Sequence, residues 1–211
     1  MGYAVPMAWD TAATRHALLE AGVRQFSRHG FAGARMDAIG VDAGVNKERV
    51  YQYFGNKRGL FDAVLADRLG DLLGAAGSPA PGSGPRGVGE YAGALFDRFA
   101  EHPELARLLA WESLELEDAA DANDRAANCA VQARALSAAL PGLSVNAAPQ
   151  LLLSVVSLCA SWWALGCIAE MIAPAVTVSA RRAEIVAQAI LLAEATQAPR
   201  AETPSSHTAS P

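Results

Sequence analysis

The chain has 211 residues, 52% of them hydrophobic and 7% aromatic, with a net charge of −5. That length allows a substantial core in one or two domains. Alanine and leucine dominate while β-branched and aromatic residues are sparse, which argues against a sheet-rich fold and predicts an all-α protein.

The charge is unevenly spread. Residues 1–70 carry nine basic and seven acidic side chains; residues 71–211 carry eight and fifteen. A mildly basic N-terminal block on an acidic chain predicts two tasks in two places. Three cysteines, Cys129, Cys159 and Cys167, lack metal-site spacing and read as small apolar residues in a reducing, cytoplasmic setting. The start "MGYAVPMAWD" has neither a basic n-region nor an apolar h-region, so no signal peptide is expected.

The first helix is expected from Thr11 to about Arg28, capped by Asp10 or Thr11 and ended by Gly30. Ala17, Leu18, Ala21, Val23 and Phe26 form its apolar face. A short second helix runs from Met36 to Ala43, with Met36, Ile39 and Ala43 inward. Gly44 makes a turn, with positive φ expected. Asn46 then caps a third helix through Phe54. Asn56 caps a fourth that carries Leu60, Phe61, Val64, Leu65 and Leu69.

"GAAGSPAPGSGPRGVG", residues 74–89, reads as a linker or long loop. It contains G-x-G-x-x-G at Gly82, Gly84 and Gly87, but the Pro-Ala-Pro before it leaves no strand for a dinucleotide site. Further helices are expected at Glu90–Ala100, from His102-Pro103 to about Leu116, at Ala122–Leu140, at 147–172 with a cap at Asn146, and at Ser179–Thr196. Ile185, Ala189, Leu192 and Thr196 would form the last stripe. The tail 198–211 is polar and Pro/Ser-rich, and disorder is expected there. The domains are therefore placed at 1–70 and 71–197, followed by the tail.

Residues 151–169 are uncharged and long enough to span a bilayer, but no Lys or Arg flanks them. An apolar helix buried between protein neighbours is the preferred reading, so no membrane is expected.

Two short helices joined at Gly44 after a longer one make a helix-turn-helix candidate. Ile39, Ala43, Val45, Val50 and Phe54 would hold it together. The N-terminal part of the reading helix meets base edges in the major groove. Arg49 suits guanine, Gln52 suits adenine and Glu48 can accept from cytosine. Tyr51, Tyr53, Lys47 and Lys57 suit phosphate. The helix start at Asn56 offers amides and a positive dipole end to the same group. Each of these residues alone is more often packing or solvated surface; the frame they share favours the DNA reading.

Residues 11–69 resemble the N-terminal domain of the TetR family of transcriptional regulators. The resemblance rests on Phe26, Gly30 and Phe31; on Ala43, Gly44 and Val45; and on Tyr51, Tyr53, Phe54, Lys57 and Leu60. Where that family caps its second helix with Thr or Ser, this chain has Ala34 and Arg35, which costs roughly 1 kcal/mol but places a cation, Arg35, near the groove. Glu48 and Arg49 replace the small pair usual after the lysine, so the operator cannot be borrowed.

The resemblance implies an all-helical second domain that dimerises and binds a small molecule. Independently, Leu151, Leu152, Val155, Val156, Leu158, Trp162 and Leu165 cannot all face one interior. Pairing helices 147–172 and 179–196 with a second copy would bury the surplus across a two-fold axis and call for a palindromic operator. Phe96, Phe99, Trp111, Cys129, Trp163, Cys167 and Met171 are the candidate pocket linings. The acidic run "WESLELEDAADANDR" reads as a solvated face; Glu112 or Glu115 holding a cationic ligand is the alternative. No catalytic motif, metal spacing or cofactor signature is found. The expected activity is that of a homodimeric repressor released by a small apolar ligand. The competing reading is an all-α interaction module whose basic N-terminal face meets an acidic partner.

Overall fold

The structure, a computed structural model, describes residues 11–75, 77–144 and 146–197, with backbone alone at 71–75. Among these residues all regular structure is helical, in ten helices. The tail 198–211 and the Asp10 cap lie outside the described residues.

Helix α1 spans Thr11–Gly33 but is broken at Gly30, where φ 74 and ψ 177 leave helical space. The sequence-based end at Gly30 thus marks the end of the regular helix, and one irregular turn follows. Helix α2 is Met36–Asp42; its N-cap Arg35 is extended and makes no capping bond, as the lost Thr/Ser implied. Gly44 turns with φ 72, the left-handed conformation in which glycine has no Cβ penalty. Helix α3 is Lys47–Phe54, capped by the Asn46 side chain, which accepts from the Arg49 amide at 2.9 Å. Helix α4 is Lys57–Ala75, and Asn56 Oδ1 accepts from the Gly59 amide at 2.8 Å.

The expected loop 74–89 is shorter than its composition suggests. Helix α5, Gly84–Glu101, starts six residues before Glu90 because Pro85 sits in its first turn, where a missing N–H costs nothing. Helix α6 is Pro103–Glu115 and α7 is Ala122–Ala139. The single helix expected over 147–172 is two, α8 at Ala147–Ala164 and α9 at Gly166–Ile172, broken at Leu165 with φ −110 and ψ 37. Asn146 makes no side-chain cap there; Ser144 Oγ accepts from the Ala147 amide instead, at 3.2 Å. Helix α10 is Val178–Gln197. Its buried stripe is Ile185, Ala189 and Ala193, so the expected stripe runs correctly only through Ala189; Leu192 is half-buried and Thr196 exposed.

One core runs through the molecule. Leu18, Phe26, Ile39, Val50, Leu60 and Phe61 close the first three helices and α4, with Phe26 edge-on to Phe61 at 5.0 Å. The same cluster continues through Phe96, Phe99, Leu105 and Leu108 into Leu136, Leu151 and Val155. Helix α4 carries the chain through residue 70, so the head and body meet along a continuous helix. The head is further tied to α6: α1 and α4 both pack on it, and Arg68 bridges Glu20 and Glu104.

Helix α8 has the length and composition to cross a membrane, with a mean hydropathy of 1.3, but only 22% of it is buried within one chain. Its outward apolar face, with Leu153 at 62% exposure, marks the body as incomplete rather than sealed.

Candidate nucleic-acid interface

Helix α3 is held on one side and open on the other. Val50 is fully buried, and Val45, Tyr53 and Phe54 pack against the core. That orientation turns Lys47, Glu48, Tyr51 and Gln52 outward, all of them exposed. Arg49 is half-buried at the edge of this face, and Arg35 is exposed just ahead of α2. The outward set combines a point cation, a carboxylate, a phenol and a carboxamide, which suits contact with both phosphates and base edges. The Asn46 cap fixes the first turn of the helix and with it the aim of these side chains.

Two candidates turn out to be engaged within the head. Lys57, expected to grip phosphate, donates to the Ala32 carbonyl at 2.9 Å and lies over the Phe31 ring at 5.0 Å. Burial lowers its ammonium pKa from the ordinary lysine value, partly countered by the Glu115 carboxylate. Its first task here is to clamp the turn after Gly30 to the start of α4. Tyr53, also expected to reach phosphate, is half-buried beside Phe54, and its hydroxyl makes a long contact of 3.5 Å to the Thr11 carbonyl. The helical spacing explains this: Tyr53 follows Val50 by three positions and shares its inward side. Asn56 is exposed, but its side-chain oxygen is spent on the Gly59 amide.

The sequence reading missed the joint between head and body. Glu115, at the end of α6, accepts from the Ala32 amide at 2.8 Å. A Cβ at Gly30 would come within 2.9 Å of the same carboxylate and 3.2 Å of Trp111, so the positive φ and the close approach both require glycine there. Arg58 pairs with Asp62 at 2.7 Å and donates to the Asp118 carbonyl at 2.7 Å. Glu112 is only 4% exposed; Arg125 Nη1 donates to both its oxygens at 2.8 Å, and the Ala120 amide donates to it at 2.7 Å. The expectation that residues 111–125 form a solvated face therefore fails for Glu112; Glu115 is exposed, although its carboxylate is engaged by the Ala32 amide. No periodicity signals such a joint, because its partners are up to 83 residues apart.

In the body, the candidate pocket residues divide among three places. Phe99 and Cys129 line a cavity of about 510 Å³ between α4, α5, α7 and α8, together with Tyr91, Leu95, Arg125 and Leu152. Trp111, Trp163 and Cys167 line a second hollow of about 420 Å³ beside the α8–α9 break. Phe96 is fully buried against Trp163 at 5.8 Å, and Met171 is exposed on α9; neither lines these hollows. The first cavity exists because the N-terminal half of α7, Ala-rich and exposed from residue 126 to 130, stands off the bundle. Tyr91 and Cys159 lie nearby, each pushed up to about 12 chiefly by burial. Among the described residues no group of acidic, His and Cys side chains is arranged to hold a metal.

Comparison with known proteins finds two family models along the chain. The family described as "Bacterial regulatory proteins, tetR family" matches residues 18–64, and "Tetracyclin repressor-like, C-terminal domain" matches residues 87–190. The chain is 43% identical over 106 residues to the HTH-type transcriptional repressor SCO4008 of Streptomyces coelicolor, covering 50% of this chain and 53% of that protein. It is 32% identical over 103 residues to the repressor NicS of Pseudomonas putida, covering 48% of this chain and 49% of that one. The chain thus spans about half the length of the curated relatives it matches. Among solved structures it is similar to the putative transcriptional regulator SCO4942 of Streptomyces coelicolor, with a TM-score of 0.67 and 32% identity over 83% of this chain and 96% of that one. A TetR-like regulator from Rhodococcus shares the fold at a TM-score of 0.58 and 19% identity, over 88% of this chain and 96% of that one. With both family models matched and SCO4942 similar over nearly its whole length, this chain belongs to the TetR family of bacterial regulatory proteins, which are regulators rather than enzymes.

Proposed function

We propose that the chain is a sequence-specific DNA-binding repressor that acts as a cytoplasmic homodimer and leaves its operator when a small ligand with an apolar body enters the α4–α5–α7–α8 cavity. The observation that carries the reading is the outward face of α3, where Lys47, Glu48, Tyr51 and Gln52 stand exposed on a helix fixed by the Asn46 cap and the buried Val50. Two curated relatives bear the name repressor, which supports the direction of control. Gln52 and Arg49 are assigned to base edges, Lys47, Tyr51 and Arg35 to phosphate. Lys57 and Tyr53 shape the head, and the α4 start leaves amides for a phosphate beside them.

The dimer is supported by apolar surface that one chain leaves exposed. Leu153 on α8 and Leu191 on α10 are 62% and 63% exposed, and α9 buries none of its residues. An isologous pairing of α8 and α10 would cover the first two. Coupling to DNA has a physical route: Arg125 forms part of the cavity wall, binds Glu112 on α6, and α6 ends at Glu115 on the head. A ligand that shifts α7 would act on the head through this chain and favour a spacing that misfits the operator, an effect typically of about 1–3 kcal/mol.

Selection of bound duplexes from a random pool by the full chain tests the reading. A palindrome with half-sites about 34–36 Å apart is expected. A pool that shows no enrichment over random sequence overturns it.

A further inference from the structure

We infer that Arg15, near the start of α1, is a further phosphate contact of the head, supplied from outside the helix-turn-helix. This rests on the DNA-binding reading above and adds a residue to it, one that precedes the family-matched stretch 18–64.

Helical spacing sets its position. Arg15 precedes Leu19, Gly22 and Phe26 by four, seven and eleven residues, a single row on α1, and those three are buried. Arg15 itself is exposed, one turn beyond the covered part of that row. The row therefore holds it at the rim of the core, where its guanidinium carbon stands 5.7 Å from the centre of the Phe54 ring. Phe54 follows Lys47 by seven residues and Tyr51 by three, so these three share one edge of α3. Lys47 and Tyr51 are exposed on that edge, and Phe54 is half-buried with Arg15 over it. The edge thus runs Lys47, Tyr51, Arg15, and its last member comes from another helix. The contact of the Tyr53 hydroxyl with the Thr11 carbonyl ties the start of α1 to the same end of α3.

The cations already engaged point to the same residue. Lys57 is held by the Ala32 carbonyl, and Arg58 by Asp62 and the Asp118 carbonyl. The Arg15 side chain has no ion pair or hydrogen bond among the described residues, and its partner is a ring face. A guanidinium over a ring keeps its N–H fork free, and a phosphate accepts from two of those donors at once. The ring also narrows the side chain's freedom beforehand, so less is lost on contact. Arg24 is exposed on the same helix and likewise unpaired among the described residues. It lies nine residues further on, half a turn round and roughly 14 Å along the axis, which makes it the matched control.

The test is fluorescence anisotropy of the full chain on a selected and a scrambled duplex, over about 50–200 mM salt. Arg15→Gln should weaken both duplexes by the same factor and lower the salt slope by about 0.9 for each chain bound. Its deficit should therefore shrink about threefold per chain across that range, whereas a purely structural role would leave the slope unchanged. Arg15→Lys should keep most of the slope at lower affinity, because the charge stays and the fork is lost. Arg24→Gln makes the same change in net charge and should keep the parent's slope, with affinity within about twofold. The inference is overturned by a parental slope in Arg15→Gln, by a loss confined to the selected duplex, by an equal effect of Arg24→Gln, or by Arg15→Lys behaving like Arg15→Gln. Should selection yield no preferred sequence, the operator reading fails by itself, and the slopes on the scrambled duplex still decide the role of Arg15. A chain that binds neither duplex overturns both.

Discussion

The head and the body finish their cores to different degrees. In the head, Leu18, Phe26, Ile39, Val50, Leu60 and Phe61 are all fully or nearly fully buried, and what remains outside on α3 is largely charged or polar. In the body, Leu153, Leu165, Ile168, Met171, Ile172 and Leu191 remain exposed, and α7 stands off a cavity. A self-complete unit presents a polar surface of fixed shape, as reading a duplex requires. An incomplete one is finished by other molecules, a second copy and a ligand, and its shape can therefore depend on them.

The contrast can be broken at the joint. Arg125→Ala leaves Glu112 as a buried carboxylate without its cation, and a loss of about 3–5 kcal/mol is expected from chemical denaturation. A loss under about 1 kcal/mol would mean that the pair does not hold α7 to α6. Gly30→Ala forces a side chain into a conformation with φ 74 and ψ 177 and against the Glu115 carboxylate. The expected cost is about 2–3 kcal/mol, read from the denaturation midpoint. An alanine variant as stable as the parent would show that head and body are not fitted together at this turn.

The incompleteness of the body can be sharpened in the same way. Leu191→Glu should weaken self-association by about 2 kcal/mol, seen as a shift from dimer to monomer on sedimentation, while the folded monomer keeps its helical signal. An unchanged dimer would move the interface off α10. The smallest effect expected is a difference in thiol reactivity. Cys129 and Cys167 are exposed and should react quickly with a disulfide reagent at neutral pH. Cys159 is fully buried and its pKa is raised to about 12, so it should react only on unfolding. Three fast thiols would contradict the packing of α8 on α5.

Much of the head was legible in the sequence because its signals are local. Asn46 and Asn56 sit three residues before the amides they cap, Gly44 occupies the turn, and Ile39 and Val50 fall on the inward faces their spacing implies. Side-chain direction was less legible. Tyr51 and Tyr53 are two residues apart on a helix and so face different sides, which separates an exposed phenol from a packed one. Lys57 was read as a surface cation because its acceptor, the Ala32 carbonyl, is 25 residues away. The body was less legible still. Loop composition concealed the start of α5, where Pro85 is tolerated in the first turn. A uniformly apolar stretch gave no hint of the break at Leu165, since periodicity fades when every position is hydrophobic. The pocket candidates were chosen by residue type alone, and type does not distinguish the buried Phe96 from the cavity-lining Phe99 three positions later.

The central claim is that the outward face of α3 reads DNA while the residues beneath it only hold the helix. Fluorescence anisotropy on a duplex selected by the full chain, over a range of salt concentrations, tests it most directly with Gln52→Ala and Lys47→Ala. Gln52→Ala should cost about 1–3 kcal/mol on the selected duplex and little on a scrambled one. Lys47→Ala should weaken both alike and reduce the salt slope by about one. If both variants bind the selected duplex like the parent, with the parent's salt slope, the face of α3 is not the reading surface.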